Sequence, residues 1–223
     1  MQSRAGRTQG LIAAPGYYFI LAGGAGLFLG WLLGWTWLAV LGLGAAGFFA
    51  YFFRDPERPL PTEAEAIVSP ADGKVILLDE VREDKFLQAP AKRVGIFMNV
   101  FDVHVNRAPV AGRVAVSHHY PGQFVAAFRP EADRLNERQV TLLEREDGGR
   151  VLMLQIAGLL ARRIISYVKE EDRLARGERL GLICFGSRVD LYLPLDCEVL
   201  VKLGDRLQAG SSIVGRWPEV NNR

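Results

Sequence analysis

The sequence predicts a mainly β protein, in which a β-sandwich or barrel-sandwich-like domain follows an N-terminal hydrophobic helical hairpin. Three observations predict this fold. Residues 17–53 carry no charge, one ten-residue phrase recurs, and the later sequence alternates short apolar stretches with Gly, Pro and Asp at roughly 8–12-residue spacing. The predicted division is a tail at 1–16, the hairpin at 17–53, a linker at 54–65 and a β-rich domain at 66–223.

The uncharged run is 37 residues long, whereas one membrane-spanning helix needs about 20 residues. The run is therefore too long for one upright span and sufficient for two short ones. Gly, Trp and Thr at 34–36 interrupt it, so we predict helices at 17–33 and 36–53 joined by a tight turn. A signal peptide is excluded because its apolar region has only about 7–15 residues. A re-entrant loop and a buried core hairpin stay open.

Basic residues stand on both sides of the hairpin. Arg4 and Arg7 precede it, and Arg54 and Arg58 follow it. A hairpin places both flanks on one side of a membrane, and clustered Lys and Arg mark the cytoplasmic side. We therefore expect a cell-membrane protein whose β-rich domain faces the cytoplasm. Prolines at positions 56, 59 and 61 predict a stiff linker between the two parts.

Short segments of the β-rich domain alternate apolar and polar residues and are rich in β-branched side chains, which is typical of strands. Helical periodicity is weak, and 131–138 is the best candidate helix. The predicted strands are 66–69, 73–81, 93–98, 104–110, 112–119, 139–146, 150–157, 163–168, 179–185, 188–194, 197–201 and 212–216.

A repeated phrase supports a pseudo-symmetric sandwich. The pattern Val-Lys-x-x-Asp-Arg-Leu-x-x-Gly occurs at 168–177 and again at 201–210. We predict that each copy ends a strand, turns at Asp-Arg-Leu and turns again at Gly. Two copies are too few for a solenoid, and the phrase resembles the turns of lipoyl- and biotinyl-type domains.

Composition narrows the range of partners. Twenty-seven basic and 25 acidic residues give a net charge of +2, which is too small to indicate nucleic-acid binding. The two cysteines, Cys184 and Cys197, have no metal-ligand spacing, so we expect no metal site. Both a reduced pair and one disulfide remain open, and a reduced, cytoplasm-facing domain is the simpler interpretation.

Two short segments contain candidate catalytic residues. Asp72-Gly73 lies between two apolar stretches, where it is a hairpin-turn signal. His104 lies on an alternating strand, facing away from Val103 and Val105. The chain has only three histidines, so few side chains are candidates for acid–base chemistry near neutral pH.

Two further segments are ambiguous when each is taken alone. His118 and His119 are adjacent on a predicted strand, so their side chains face opposite sides and do not form a metal site by themselves. Gly186-Ser187 interrupts an apolar strand and is typical of a bulge or a turn.

Taken together, the motifs identify a family. Ser-Pro-Ala-Asp-Gly-Lys-Val at 69–75, Phe-Asp-Val-His-Val-Asn-Arg-Ala-Pro at 101–109 and Phe-Gly-Ser-Arg-Val-Asp at 185–190 resemble those of the short, membrane-anchored phosphatidylserine decarboxylase proenzymes. The resemblance covers nearly all of 50–216, in the same order. Chance does not readily explain three separate motifs whose spacing along the chain is compatible with that of the family.

The resemblance implies a pyruvoyl-dependent decarboxylase formed by self-cleavage between Gly186 and Ser187. It implies a large subunit of residues 1–186, a small subunit of 187–223, and a pyruvoyl group derived from Ser187 with no added cofactor. His104 would take the Ser187 hydroxyl proton, and Asp72 would hold the imidazole. The implied substrate is phosphatidylserine in the membrane, converted to phosphatidylethanolamine. Whether the chain forms a homo-oligomer is left open.

One position departs from the longer relatives, which carry a second histidine where this chain has Phe101. A phenyl ring cannot transfer a proton, so the proton donor after decarboxylation is open. His118, His119 and His104 itself are candidates for that role, and His118 and His119 are also candidates for substrate binding.

Two alternatives remain at this point. One is a membrane-anchored lipoyl- or biotinyl-like β binding module without catalysis, although the exposed Met-Lys hairpin tip that such a carrier needs is missing from the sequence. The other is a pyruvoyl enzyme acting on a soluble amino acid, which would leave the hydrophobic hairpin without a purpose.

Overall fold

The structure is a computed structural model of the chain, and it describes residues 10–129, 131–158, 163–184 and 187–218. The chain divides into two compact units, one formed by residues 8–57 and one that contains residues 58–223. The first unit is helical and the second is β-rich. Over the whole structure, 41% of the residues are in strands and 19% are in helices. The predicted mainly β class with an N-terminal helical hairpin is therefore confirmed.

The first unit is a hairpin of two helices with 17 residues each, α1 (Gly16–Leu32) and α2 (Thr36–Phe52). Their bounds agree with the predicted helices to within one residue. The turn between them uses Gly34 at a φ of 71°, a backbone conformation that L side chains rarely adopt. The helix backbones approach closely, since a Cβ added to Gly30 or Gly42 would overlap the backbone of the opposite helix. Small residues permit such close helix packing.

Large apolar side chains cover the outer surface of this hairpin. Tyr18, Leu21, Trp31, Val40 and Leu41 are among those more than 60% exposed. The packing of α1 against α2 therefore leaves an extensive apolar surface uncovered. None of the helices that the structure describes is both long enough and apolar enough to cross a membrane.

The second unit contains fourteen strands and one short helix among its described residues. They are β1 (Ala66–Val68), β2 (Gly73–Glu83), β3 (Ala89–Met98), β4 (Val105–Arg107), β5 (Gly112–Tyr120), α3 (Ala132–Leu135), β6 (Arg138–Glu144), β7 (Arg150–Ala157), β8 (Arg163–Ser166), β9 (Arg173–Leu174), β10 (Arg179–Cys184), β11 (Ser187–Pro194), β12 (Glu198–Val199), β13 (Arg206–Leu207) and β14 (Ile213–Arg216).

The strands form one large antiparallel sheet and two small ones. The large sheet has the order β13-β2-β3-β11-β7-β6-β5-β9 and curls into a half-barrel. The small sheets have the orders β1-β14-β12 and β4-β10-β8. One apolar core lies on the face of β11 that carries Val189 and Leu191, and a second lies on the face that carries Tyr192.

The strand order has an internal two-fold pattern. Strands β1–β3 with β11–β14 form one half, strands β4–β10 form the other, and corresponding strands occupy equivalent places in every sheet. The repeated phrases lie at equivalent turns, where the backbone N–H groups of Lys169 and Lys202 donate to Asp172 and Asp205, at 3.0 Å in both copies. The predicted pseudo-symmetry is confirmed, and the chain returns from one half to the other between β10 and β11.

Each predicted strand overlaps an observed strand, and β3 begins four residues earlier than predicted, but two other predictions were wrong. Arg173–Leu174 and Arg206–Leu207, predicted as turns, are the edge strands β9 and β13. Two-residue strands have no periodicity to reveal them, because they exist only through pairing with β5 and β2. The predicted helix at 131–138 is reduced to α3, since β6 already begins at Arg138.

Candidate active site

Ser187 is the first residue of β11 and is fully buried. It lies opposite Met98, the last residue of β3, and opposite Ala157, the last residue of β7. Its Oγ is 3.4 Å from Met98 Sδ. The two neighbouring strands thus flank Ser187 at the edge of the large sheet that is formed by the ends of β3, β7 and β11, directly after the point where the chain returns between the two halves. Gly186 and Phe185 lie outside the described residues.

Two buried side-chain amides lie on the core side of the contact between Ser187 Oγ and Met98 Sδ. Asn106 Nδ2 lies 3.7 Å from the same Met98 Sδ, and Gln155 Nε2 donates to Asn106 Oδ1 at 2.8 Å. Both amide residues are fully buried. Our sequence reasoning missed Asn106 and Gln155, although Asn106 follows His104 by two positions in the predicted strand 104–110, and residues two apart in a strand share a face. The site therefore has hydrogen-bonding groups in an otherwise apolar interior.

His104 is fully buried immediately before β4. Its Nδ1 lies 2.9 Å from the backbone oxygen of Asp102. Since a carbonyl oxygen only accepts hydrogen bonds, Nδ1 carries the hydrogen, and Nε2 is the basic nitrogen of the neutral ring. The His104 backbone oxygen accepts from Ile183 N at 3.3 Å. His104 is thus held beside β10, the strand that leads to Ser187.

Asp72 is almost fully buried in the turn before β2. Its two carboxylate oxygens accept from Arg58 Nη2 at 2.7 Å and from the backbone N–H of Ala209 at 2.8 Å. Arg58, one of the basic residues that follow the hairpin, therefore pairs with this carboxylate. The nearby oxygen of Pro70 accepts from Arg107 N in β4, so the Asp72 turn adjoins the strand that follows His104.

The three predicted catalytic residues therefore lie in neighbouring elements. The hydrogen bonds described above for Ser187, His104 and Asp72 go to other groups rather than from one of the three to another. Asp72 as the residue that orients His104 stays a prediction, because the carbonyl of Asp102 already holds Nδ1.

His118 and His119 lie elsewhere, on exposed positions of β5. Strands β6 and β7 separate β5 from β11, which corresponds to about 14 Å at the usual strand spacing. His118 stacks against Tyr120 with ring centroids 4.4 Å apart, and His119 Nε2 lies 3.7 Å from Glu137 Oε1. The structure does not bring either histidine to Ser187.

The residue after Ser187 was missed by our sequence reasoning. Arg188 and Asp190 are both buried, and their side chains form a two-point ion pair, Nη2 to Oδ2 and Nε to Oδ1, each 2.8 Å long. Arg188 Nη1 also donates to the oxygens of Ala127 and Arg129 at 3.2 and 3.1 Å. Burial raises the pKa of the Asp190 carboxyl, and the guanidinium opposes that shift.

A second buried residue holds the same loop. Asn136 Oδ1 accepts from Val125 N at 2.9 Å, and its Nδ2 donates to the oxygens of Val125 and Ala157. Ala157 is the residue paired with Ser187. Arg188 and Asn136 thus fix residues 125–129 against the edge of the sheet where Ser187 lies.

Comparison with known proteins identifies the family. The family model described as phosphatidylserine decarboxylase matches residues 45–215, a span that includes all the site residues described above. The chain belongs to the phosphatidylserine decarboxylase family. Relatives named phosphatidylserine decarboxylase proenzyme are similar over nearly the whole chain. The relative from Symbiobacterium thermophilum is 48% identical over 213 residues, with 94% of this chain and 97% of the relative covered.

Other relatives agree with this assignment. The proenzyme of Syntrophus aciditrophicus is 46% identical, covering 92% of this chain and 97% of its own length. That of Magnetococcus marinus is 43% identical, covering 93% and 95%. These relatives are carboxy-lyases. The alternative of a binding module without catalysis is therefore wrong. Its support was the repeated phrase at 168–177 and 201–210, which reflects the two-fold strand order of the domain.

Two further reactive groups of the described chain are cysteine thiols, one close to Ser187 along the chain and one beyond the far end of β11. Cys184, the last residue of β10, and Cys197 are free and buried. Burial raises their pKa values to about 11 and about 12, so both thiols are protonated at neutral pH and are weak nucleophiles. Among the described residues, no three His, Cys, Asp or Glu side chains are grouped to hold a metal ion.

Proposed function

We propose that this chain is a proenzyme that cleaves itself before Ser187 and then decarboxylates phosphatidylserine to phosphatidylethanolamine. The observation that carries this proposal is the position of Ser187. It is fully buried at the first residue of β11, where the chain returns from one half of the domain to the other. Cleavage there frees the end of one strand while β3 and β7 on either side keep it in place.

The proposed cleavage uses only groups of the chain and one water. Ser187 Oγ attacks the carbonyl carbon of Gly186, and the C–N bond breaks as the amine is released, which converts the peptide into an ester. Loss of the Ser187 α-proton then breaks the Cβ–O bond and frees the upstream chain as a carboxylate. Water adds to the resulting dehydroalanine, and ammonia leaves. An N-terminal pyruvoyl group remains.

His104 is the base that we assign to this cleavage. Its Nδ1 is fixed by the oxygen of Asp102, so Nε2 is the nitrogen that takes a proton. Its backbone is bonded to Ile183, three residues before Gly186. We assign Asp72 the electrostatic support of a protonated His104, and the Asp72 carboxylate is held in place by its ion pair with Arg58 at 2.7 Å.

The environment of Ser187 fits a pyruvoyl group. Met98 and Ala157 exclude water on both sides, and the amides of Asn106 and Gln155 supply buried donors nearby. When formed, the group supplies an electron-accepting carbonyl for the amine of the substrate. Asn106 is the side chain that we expect to orient it, since Asn106 already contacts Met98 Sδ beside Ser187 Oγ.

We further propose that the hairpin of α1 and α2 attaches the chain to the cell membrane. The exposed apolar side chains on both helices support this, because water does not favour a contiguous surface of that kind. The basic residues at both ends of the hairpin favour the cytoplasmic side for the β-rich unit. Phosphatidylserine offers its head group at that surface.

The test is conversion of phosphatidylserine in detergent micelles, followed by chromatography of the lipid products. The unaltered chain is expected to produce phosphatidylethanolamine, and Ser187→Ala is expected to produce none. His104→Ala should cleave itself about 10²–10⁴-fold more slowly, as is usual for loss of a general base. His118→Ala, on exposed β5, is the matched control and should behave like the unaltered chain. Lipid turnover by Ser187→Ala would contradict the proposal.

A further inference from the structure

A surface patch adjoins the sheet edge at which Ser187 lies. We define this edge patch as Lys74, Phe97, Phe101, Phe128 and Arg206. Lys74 is opposite both Phe97 and Arg206 in the sheet, and Phe97 is opposite Arg188, the neighbour of Ser187. These paired residues stand in one row across four strands and face the same side. The row therefore ends at the neighbour of Ser187 along β11, on the opposite face of the sheet from the Ser187 side chain.

Two large aromatic side chains project from this patch. Phe101 and Phe128 are each 64% exposed. Phe101 is in the turn that follows β3, and the ring of Phe128 packs edge-on against Phe97 with centroids 6.3 Å apart. The loop of Phe128 is held on both sides of that residue, because Arg188 binds the backbone oxygens of its two neighbours. The exposed position of Phe128 is thus fixed by a buried ion pair.

The charges at this edge are mostly basic. Lys74, Arg129 and Arg206 are exposed. In the described part of the chain, their ion-pair partners are Glu131, 3.8 Å from Arg129, and Asp102, which is largely buried and binds Arg206 at 3.2 Å. An excess of positive charge around exposed aromatic rings suits a negatively charged lipid surface, where the rings enter the interface and the cations meet the head groups.

We propose that the edge patch docks on an anionic lipid bilayer, with Phe101 and Phe128 inserted in the interface. The inference rests on the proposed function, because a membrane lipid as substrate requires the Ser187 edge to face the bilayer. Docking would bring a lipid head group to the sheet edge without lifting its acyl chains out of the membrane.

Fluorescent labels on the full chain test this directly. Phe101→Cys and Phe128→Cys would each be labelled with the polarity-sensitive dye NBD, because Cys184 and Cys197 are buried and protonated. Leu195→Cys is the matched control, since Leu195 is 41% exposed and follows the far end of β11, about 25 Å away along the strand. Vesicles of phosphatidylcholine with phosphatidylglycerol are the probe, because neither lipid is the proposed substrate.

On these vesicles we expect blue-shifted, severalfold brighter emission from labels at 101 and 128, and no change at 195. High salt should reduce the response. Unchanged emission at 101 and 128 on a chain that floats with the vesicles would overturn the docking proposal. So would an equal response at 195. Because no decarboxylation is measured, failure of this test is separate from failure of the proposed function.

A turnover comparison gives a second, independent readout. The double variant Phe101→Ser with Phe128→Ser should lose about tenfold or more in turnover on bilayer phosphatidylserine, as expected when two aromatic side chains no longer enter the interface. On a short-chain phosphatidylserine dissolved as monomers it should lose far less. Leu195→Ser should leave both values unchanged. Equal losses on both substrates would assign the two rings to the chemistry and contradict docking.

Discussion

The ion pair behind Ser187 allows a quantitative prediction. Arg188 and Asp190 are 2% and 0% exposed, and two contacts of 2.8 Å join them. Asp190→Ala would leave a buried guanidinium without its counter-charge, which costs about 3–5 kcal/mol of unfolding free energy. For a chain of this size, each kcal/mol lowers Tm by roughly 2–4 °C. We therefore expect Tm to fall by about 10 °C.

The assay is equilibrium unfolding in denaturant and by heat, in the Ser187→Ala background. That background is expected to stay a single chain, so unfolding does not separate two subunits. The double variant Arg188→Met with Asp190→Ala removes both charges together and should cost clearly less than the sum of the single changes Arg188→Met and Asp190→Ala. The double-mutant cycle should give a coupling of about 2 kcal/mol or more.

A loss below about 1 kcal/mol for Asp190→Ala would refute this reasoning, because it would match a solvent-exposed pair. The reasoning would also be refuted if the stability losses of the two single variants added up to the loss of the double variant. The stability change should also appear in function. Arg188 holds the backbone of 127–129, so Asp190→Ala should slow self-cleavage before Ser187 as the loop loosens.

Three further predictions follow from buried polar groups. Because burial raises the pKa of Asp190 in the folded chain, the Asp190 carboxyl of the unfolded chain ionises first as pH rises. The free energy of unfolding therefore falls as pH rises from about 4 towards the folded pKa of Asp190. Arg188→Met removes the charge that opposes the shift, so the loss of stability in this variant, measured against the unaltered chain, should grow over the same pH range. Asn136→Ala abandons three buried backbone partners and should cost about 2–3 kcal/mol in denaturant unfolding, and a loss near zero would show that water replaces the amide. Cys184 and Cys197, whose pKa values lie near 11 and 12, should not react with a thiol reagent at pH 8 until denaturant is added, and fast reaction of the folded chain would contradict their burial.

The sequence predicts the local elements of this fold well. The uncharged run and its break at 34–36 predict both hairpin helices to within one residue. Alternation predicts the longer strands because each has one or two faces in an apolar core. Edge strands of two residues escape this reasoning, as Arg206–Leu207 does, because only their partner strand makes them extended.

The site divides in the same way. Motifs predict Ser187, His104 and Asp72 as residues, but not their hydrogen-bond partners, which come from distant parts of the chain, as Ala209 does for Asp72. The sequence around His118 and His119 does not indicate how far these residues lie from Ser187, and their strand β5 is the third strand away from β11 in the sheet. Arg188 and Asp190 were recognisable, since opposite charges two residues apart in an apolar strand share one face.

The identity of the N-terminus of the small chain tests the central claim most directly. Intact-mass measurement of the purified protein should show two chains that meet between 186 and 187. The smaller should be lighter, by the mass of one ammonia, than a fragment that begins with serine. A single full-length chain under conditions that support lipid turnover would contradict the account, and so would a small chain that begins with unmodified serine.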